Sequence, residues 1–296
     1  MGPTESSTVQ SKDVAFTPLM RFRRAISGFS VNAILMAFSA ACIFPVIWII
    51  YSSFKTNREF AQNIIGLPET LLLENFEAVL AGGRIFGFMF NTARNTALTL
   101  FGVIFCGFIV GYFFARFSFK GRTLLYFMFL LGLLMPIHSI IVPIYILFSQ
   151  LNITSRWYTL LFPYIAFGLP LAIFIIESYI RSVPRELEEA AAIDGSSFTR
   201  TLFSIVMPIC MPVLVTVGII QFFATWNEFI FALLLIGEES LVTLPVGLAR
   251  FFRGQFSAHY PRMMSAMVVS IFPPMVLYFA FSKRIIEGMV AGAVKG

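Results

Sequence analysis

The sequence has few charged residues: only 12% of its 296 residues are Asp, Glu, Lys or Arg, whereas 58% are apolar. An average soluble domain is about a quarter charged. The apolar residues fall into long blocks, and a helix needs about 20 of them to cross a bilayer core of roughly 30 Å. The scarcity of charge therefore excludes an ordinary soluble domain and predicts several membrane spans.

Cysteine and histidine are also scarce, and neither occurs at a spacing typical of disulfides, metal sites or catalytic groups. The three cysteines lie in separate apolar regions, which argues against a disulfide framework or a thiolate metal site. The two histidines, His138 and His259, lie on different predicted elements without a carboxylate or nucleophile at a diagnostic spacing. The chain also lacks a Gly-Lys dipeptide, which a phosphate-binding loop for ATP needs. We therefore expect no metal site, no catalytic site and no cofactor in this chain.

Six apolar blocks are long enough to cross a membrane, so the sequence predicts an all-α polytopic membrane protein. A transmembrane domain is expected over 27–284, between an amino-terminal tail (1–26) and a carboxyl-terminal tail (285–296). Turn signals predict a loop from Lys55 to Phe86, with a short interfacial helix. A second polar loop is expected from Gly237 to Pro261. The predicted spans are 31–54, 88–115, 124–148, 157–180, 212–236 and 263–281.

The net charge of +6 arises from basic residues between the apolar blocks, where they set topology. This position indicates membrane lipid, and not nucleic acid, as the environment of these charges. With the amino terminus inside, most of the 21 Lys and Arg residues lie on the cytoplasmic side, including Arg21, Arg116 and Arg181. The positive-inside rule then predicts that both termini are cytoplasmic.

The polar stretch between the fourth and fifth spans has the features of a short helix over 184–195. Pro184 suits a first helical position, and the glutamates that follow it favour the positive end of the helix dipole. Gly195 is expected to stop the helix in a left-handed conformation. Small alanines permit close approach of another surface, and Leu187 and Ile193 provide apolar anchors. The segment is interpreted as a docking helix or, alternatively, as a simple connection between two spans.

Glu189-Ala190-Ala191, then Gly195, then Pro208 at the end of an Ile-Val-Met-Pro run, resembles the EAA motif of bacterial ABC importer permeases. That family usually has Leu where this chain has Met207, a substitution of similar volume. Further blocks in the same order resemble the MalG-type permeases of the carbohydrate uptake family. Among these blocks are Thr225-Trp226-Asn227-Glu228-Phe229, Thr243-Leu244-Pro245-Val246-Gly247-Leu248 and the ending from Ala291 to Gly296.

This resemblance implies a type I ABC importer permease fold in the inner membrane of a bacterium. It implies a second permease subunit as heterodimer partner, two ATPase subunits that bind ATP and Mg, an extracytoplasmic solute-binding protein, and a carbohydrate substrate. It further implies that the docking helix sits in a cleft of the ATPase, with Gly292, Lys295 and Gly296 as a second contact.

Polar side chains inside the predicted spans are energetically unfavourable in a bilayer, so each of them requires a structural or functional explanation. Trp226, Asn227 and Glu228 in the fifth span are candidates for the substrate path, because an aromatic face beside hydrogen-bonding groups suits a sugar. His138, next to Pro136 where a broken helix can line a cavity, and Gln221 are further candidates. The alternative for Glu228 is a polar contact with a neighbouring helix or the partner subunit, and His138 can equally be a hydrogen-bonded core residue.

Two other functions fit a polytopic membrane protein. A stand-alone secondary transporter would couple to ions through Glu228 or His138, and a membrane anchor would have no transport path. Neither of these functions explains the EAA-like helix at 184–195. The sequence therefore favours a permease subunit driven by a separate ATPase.

Overall fold

The computed structural model describes residues 18–253 and 259–293, and within these ranges all regular structure is helical. Fourteen α-helices follow one another, with a π-helical turn at Leu202–Val206 and a 3₁₀ turn at Glu239–Leu241. The α-helices are α1 (Pro18–Ser52), α2 (Asn57–Gln62), α3 (Glu74–Ala81), α4 (Arg84–Arg116), α5 (Arg122–Leu133), α6 (Ile137–Gln150), α7 (Leu161–Ser182), α8 (Glu186–Ile193), α9 (Phe198–Thr201), α10 (Met207–Ile209), α11 (Met211–Trp226), α12 (Ile230–Leu235), α13 (Leu244–Arg253) and α14 (Tyr260–Ala293).

Four helical segments in the described chain are long and apolar enough to cross a membrane by themselves: Val31–Ser52, Arg84–Arg116, Leu161–Ser182 and Tyr260–Phe281. Two further segments qualify only as bent pairs, α5 with α6 and the α9–α10 segment with α11. Counting each pair as one span gives up to six, in agreement with the predicted all-α polytopic fold.

The predicted third span, 124–148, is two helices and not one. α5 ends at Leu133, α6 begins at Ile137, and their axes differ by 101°. Pro136 precedes the first residue of α6 in an extended conformation. Because proline has no amide hydrogen and disfavours a helical residue before it, the chain leaves α5 at this point.

The predicted fifth span, 212–236, is also interrupted. Helix α11 begins at Met211, after a bend of 72° from the preceding Phe198–Ile209 segment. Pro208 and Pro212 flank the bend, and neither can donate the hydrogen bond that would continue a straight helix. A second break at residues 227–229 separates α11 from α12, so Glu228 lies in a non-helical turn.

Helical structure extends beyond the candidate spans into both predicted tails. Helix α1 begins at Pro18, before the predicted boundary at residue 26, and proline suits a first helical position. Helix α14 continues to Ala293, past the predicted boundary at 284, because the residues after the span are also compatible with helix. Gly292 therefore lies in α14, whereas Lys295 and Gly296 lie outside the described residues.

Helices α4 and α7 pack closely through small residues and form the centre of the bundle. Gly107 and Gly111 make a Gly-x-x-x-Gly pair on α4, and they face Ala172 and Ile176 of α7. A Cβ atom at Gly111 would lie 3.3 Å from the backbone nitrogen of Glu177. Small residues at this spacing allow helix backbones to approach inside a membrane.

We expect Gly111→Leu to destabilise the protein by about 1–3 kcal/mol, since the new side chain must push α7 away. The matched control is Gly87→Leu near the start of the same helix, where a Cβ atom would meet nothing within 4 Å. Thermal unfolding of both variants in detergent measures the difference. Equal midpoints for the two variants would show that the close approach contributes nothing.

The predicted loop from Gly237 to Pro261 contains helix α13, which folds back onto the start of α4. Asn91 donates hydrogen bonds to the carbonyl oxygens of Ser240 (2.8 Å) and Val242 (3.0 Å). The Leu244 amide donates to Thr92 Oγ1 at 2.8 Å. The sequence predicts a polar loop here, and tertiary hydrogen bonds order part of it on α4.

Candidate functional site

Helix α8 is a short, well-terminated helix between the end of α7 and α9. It begins at Glu186, two residues after Pro184, so Pro184 precedes the helix and does not start it. At the other end Gly195 has φ +78°, as the sequence predicts. The Ser196 amide donates to the Ala191 carbonyl at 2.9 Å and the Gly195 amide to the Ala192 carbonyl at 3.1 Å. These two bonds form a Schellman motif and fix the length of the helix.

Glu188 attaches α8 to the end of α4. Its Oε1 accepts a hydrogen bond from Arg116 Nε at 2.6 Å, and its Oε2 accepts one from the Tyr112 hydroxyl at 2.6 Å. The side chains of Arg116 and Glu188 are only 7% and 15% exposed. Arg116 also donates to the Val183 carbonyl at 2.8 Å, which holds the turn that leads into α8. A charge pair removed from water in this way resists separation, so α8 is held firmly against the end of α4.

An aromatic cluster on α4 and the turn after it supports the same attachment. The Phe198 ring at the start of α9 lies 6.0 Å from that of Tyr112 and 6.2 Å from those of Phe113 and Phe117. These separations are typical of favourable ring pairs. The two ends of the α8–α9 segment are therefore both held against α4.

The opposite face of α8 is open. Leu187 is 46% exposed and Ile193, at the tip of the helix, is 86% exposed. Glu189 and Ala190 are also exposed, as is Pro208 beyond α9. Ala191 differs from the other predicted docking residues because it is buried against its own chain. The geometry thus gives Glu188 and Glu189 different surroundings: the first binds the chain itself, and the second faces outward.

A second buried charge cluster lies where α5 and α7 meet. Glu177 is 3% exposed and pairs with Arg122 (3.4 Å) and, one helical turn along α7, with Arg181. Tyr126 donates to the same carboxylate at 3.4 Å, and Arg122 also donates to the Phe114 carbonyl at 2.9 Å. Sequence reasoning missed Glu177, although a carboxylate near the end of an apolar block with Arg four residues later is a recognisable helical pair.

The carboxylate of Glu228 accepts hydrogen bonds from groups of its own chain. Tyr164 on α7 donates to Oε2 at 2.6 Å, and the Phe231 and Ala232 amides donate at 2.7 and 3.2 Å. These amides belong to the first turn of α12, whose free N–H groups need acceptors. Glu228 therefore caps α12 and ties it to α7, which corresponds to the alternative that the sequence left open, a contact with a neighbouring helix.

The other residues predicted for the substrate path differ in their exposure and in the helix that carries them. Trp226 is buried, and Gln221 donates to Thr225 at 3.0 Å along the same helix. Asn227 and His138 are exposed, on α11's end and on α6 respectively. The structure thus places Trp226 in the core, and Asn227 and His138 at the surface on different elements. A role in the substrate path remains a prediction for each of them.

We expect Glu228→Gln to lower the free energy of unfolding by about 1–3 kcal/mol, because an amide satisfies the α12 amides and the Tyr164 hydroxyl less well. The substrate concentration for half-maximal transport should stay unchanged. Asn227→Ala, at the exposed neighbouring position, is the matched control for stability. A weaker apparent affinity for substrate with unchanged stability would instead assign Glu228 to the path.

The described residues bear on two further kinds of site, metal-binding groups of side chains and cavities among the helices. Among residues 18–253 and 259–293, no group of three His, Cys, Asp or Glu side chains is placed to hold a metal ion. A groove of about 310 Å³ lies between α4, α11 and α14, and its lining is apolar, including Ile104, Leu214 and Phe222.

Bent apolar helices with a short, outward-facing helix between two of the candidate spans define a polytopic membrane protein. The chain belongs to the family of binding-protein-dependent transport system inner membrane components, whose sequence model matches residues 104–290. It is accordingly a permease subunit of an ABC importer, located in the inner membrane.

Individual relatives agree with the family. The trehalose/maltose transport system permease protein MalG of Thermococcus litoralis is 34% identical over 270 residues, which are 90% of this chain and 95% of the relative. The sulfoquinovosyl glycerol transport system permease protein SmoH of Agrobacterium fabrum is 32% identical over 255 residues, 86% and 89% of the two chains.

A solved structure shows the same fold. It is a subunit of a bacterial ABC transporter involved in the import of the acidic polysaccharide alginate. The TM-score is 0.78 at 20% identity, over 90% of this chain and 98% of that one. The predicted permease fold is confirmed.

Proposed function

We propose that this chain forms half of the translocation pathway of an ATP-driven importer for a carbohydrate. A second permease subunit supplies the other half. Two separate ATPase subunits, which bind ATP and Mg, supply the energy, since this chain has no phosphate-binding loop. The observation that carries the proposal is helix α8, which is anchored to the bundle on one side and exposed on the other.

The proposed substrate class follows from the relatives. Their names specify trehalose or maltose and sulfoquinovosyl glycerol, and the solved structure belongs to an alginate importer. All of these are carbohydrates or carry a sugar. A second alginate transporter structure includes a periplasmic protein loaded with an alginate pentasaccharide, which supports an extracytoplasmic solute-binding protein as a further partner of this chain.

The proposed mechanism uses α8 as a rigid connection. Closure of the ATPase subunits moves α8, and the Glu188–Arg116 pair transmits that movement to α4. Because α4 packs on α7 at Gly107 and Gly111, the two helices move together. Alternation between inward-facing and outward-facing states follows from the rearrangement of this packed pair against the partner permease.

The orientation belongs to the same proposal. Both termini lie on the cytoplasmic side, together with α8, and α2, α3 and α13 lie on the outer side. The end of α14 at Gly292, with Lys295 and Gly296 beyond it, is proposed as a second ATPase contact. Trp226, Asn227, His138 and Gln221 are retained as candidates for the path.

Glu189→Lys should weaken ATPase binding by about tenfold, because it reverses an exposed charge on the docking face. Membrane insertion and thermal stability should match the parent, since Glu189 makes no contact that holds the bundle. The charge reversal Glu69→Lys, at an exposed residue of the outer region, is the control. Pull-down of the ATPase subunits measures the difference, and full binding by the Glu189 variant would refute the docking assignment.

The proposed function is tested by co-purification of the complex and ATPase assays in liposomes with the solute-binding protein and a panel of sugars. Stimulation by one sugar would establish the importer and its substrate. Transport in vesicles that lack ATP, coupled to an ion gradient, would instead favour a secondary transporter.

A further inference from the structure

The loop after α1 folds back onto the carboxyl-terminal turns of α1. Trp48 Nε1 donates a hydrogen bond to the Ile64 carbonyl at 3.0 Å, and the Tyr51 hydroxyl donates to the Ile65 carbonyl. Lys55 Nζ, only 1% exposed, donates to the Asn63 carbonyl at 2.9 Å. Three consecutive carbonyl groups of the loop therefore accept hydrogen bonds from side chains in the last turns of α1 and from Lys55 just after it.

These bonds set the depth of the loop. Trp48 lies four residues before the end of α1, which at 1.5 Å per residue is about 6 Å inside the helix end. Tyr and Trp side chains near the ends of a span lie at the boundary between headgroups and acyl chains. The Ile64 carbonyl that Trp48 binds is consequently held at that boundary and not out in the aqueous phase.

The tip of the loop is apolar where exposed turns are usually polar. Asn63 Oδ1 accepts from the Gly66 amide at 2.8 Å, which closes a turn with Ile64 and Ile65 at its centre. The exposed apolar side chains on this loop are Ile64 (53%), Ile65 (68%), Leu67 (77%), Leu71 (74%) and Leu73 (60%).

We propose that this apolar tip, Ile64–Leu67, is a lipid-binding segment that inserts into the leaflet at the carboxyl end of α1. The tip continues the lipid-compatible surface of α1, whose most apolar window is uncovered by the rest of the chain. No Lys or Arg occurs between Arg58 and Arg84, so the attraction is hydrophobic and not electrostatic. The segment thereby fixes the depth of the outer region, independently of the substrate carried.

Site-directed spin labelling tests the insertion. The three native cysteines are replaced by alanine, and single cysteines are placed as Ile65→Cys, Leu67→Cys and, as the aqueous control on α2, Arg58→Cys. The full chain, with the subunits that co-purify, is reconstituted in vesicles of phosphatidylethanolamine and phosphatidylglycerol. Power saturation then compares access of oxygen, which concentrates in lipid, with access of a water-soluble nickel complex.

Positions 65 and 67 should show an oxygen-to-nickel access ratio at least about threefold higher than position 58, as expected for side chains inside the interface. Equal ratios at all three positions would place the tip in water and overturn the proposal. Low access of both reagents with an immobilised label would show that protein covers the tip, which also overturns it. Neither result depends on whether the complex transports a sugar.

Discussion

Glu188→Lys should reduce ATP-driven uptake at least about tenfold. The new ammonium would face the Arg116 guanidinium in a site where both native side chains are largely removed from water. Breaking a buried charge pair costs about 3–5 kcal/mol, because the remaining charge is left unpaired. The Tyr112 hydroxyl loses its acceptor in the same step. Uptake into proteoliposomes, with ATPase activity measured in parallel, provides the test.

Two further variants separate a specific link from general damage. Glu186→Lys adds the same charge to an exposed position of α8 and should retain most of the uptake. The exchange Arg116→Glu with Glu188→Lys restores opposite charges and should recover part of the lost activity. If Glu188→Lys and Glu186→Lys transport equally well, the pair does not link α8 to α4.

Ile193→Asp should weaken association of the ATPase subunits about thirtyfold. Ile193 is 86% exposed at the tip of α8, so the subunit alone gains nothing from its apolar side chain. An apolar anchor in an interface commonly contributes about 2 kcal/mol or more, and an aspartate there would also bury a charge. Quantitative pull-down of the ATPase subunits measures the loss.

The fold of the variant is the first check on this prediction. Because Ile193 does not contact the core, the thermal midpoint in detergent should equal that of the parent. Thr199→Asp adds the same charge to an exposed polar position on α9 and should bind the ATPase normally. Normal binding by Ile193→Asp would place the docking surface elsewhere on the cytoplasmic side.

Local features were predictable because they depend on neighbouring residues. The apolar blocks, the end of α8 at Gly195 and the interruption beside Pro136 each follow from a short run of sequence. Hydrophobic length, a left-handed glycine and a missing proline amide act within a few residues. The family resemblance at 189–208 added the docking role, which physical chemistry alone left open.

The roles of individual acidic residues were not predictable. Glu188 and Glu189 are adjacent and chemically equal, yet Glu188 binds Arg116, 72 residues earlier in the chain, and Glu189 remains exposed. Glu228 was predicted to lie within a helix, but it lies in a break, where it caps α12 and accepts a hydrogen bond from Tyr164. In each case the partner is distant in sequence, or the backbone breaks at a point without a proline.

The sequence by itself determined that this chain crosses a membrane through apolar helices and that a helix between two spans ends at Gly195. These properties arise from composition and from local backbone preferences. Only the tertiary structure decided which face of that helix is bound and which is free, where α13 folds, and how the loop at Asn63 is held against α1. Those outcomes depend on hydrogen bonds and ion pairs between distant residues, and such pairings form only when packing brings the helices together.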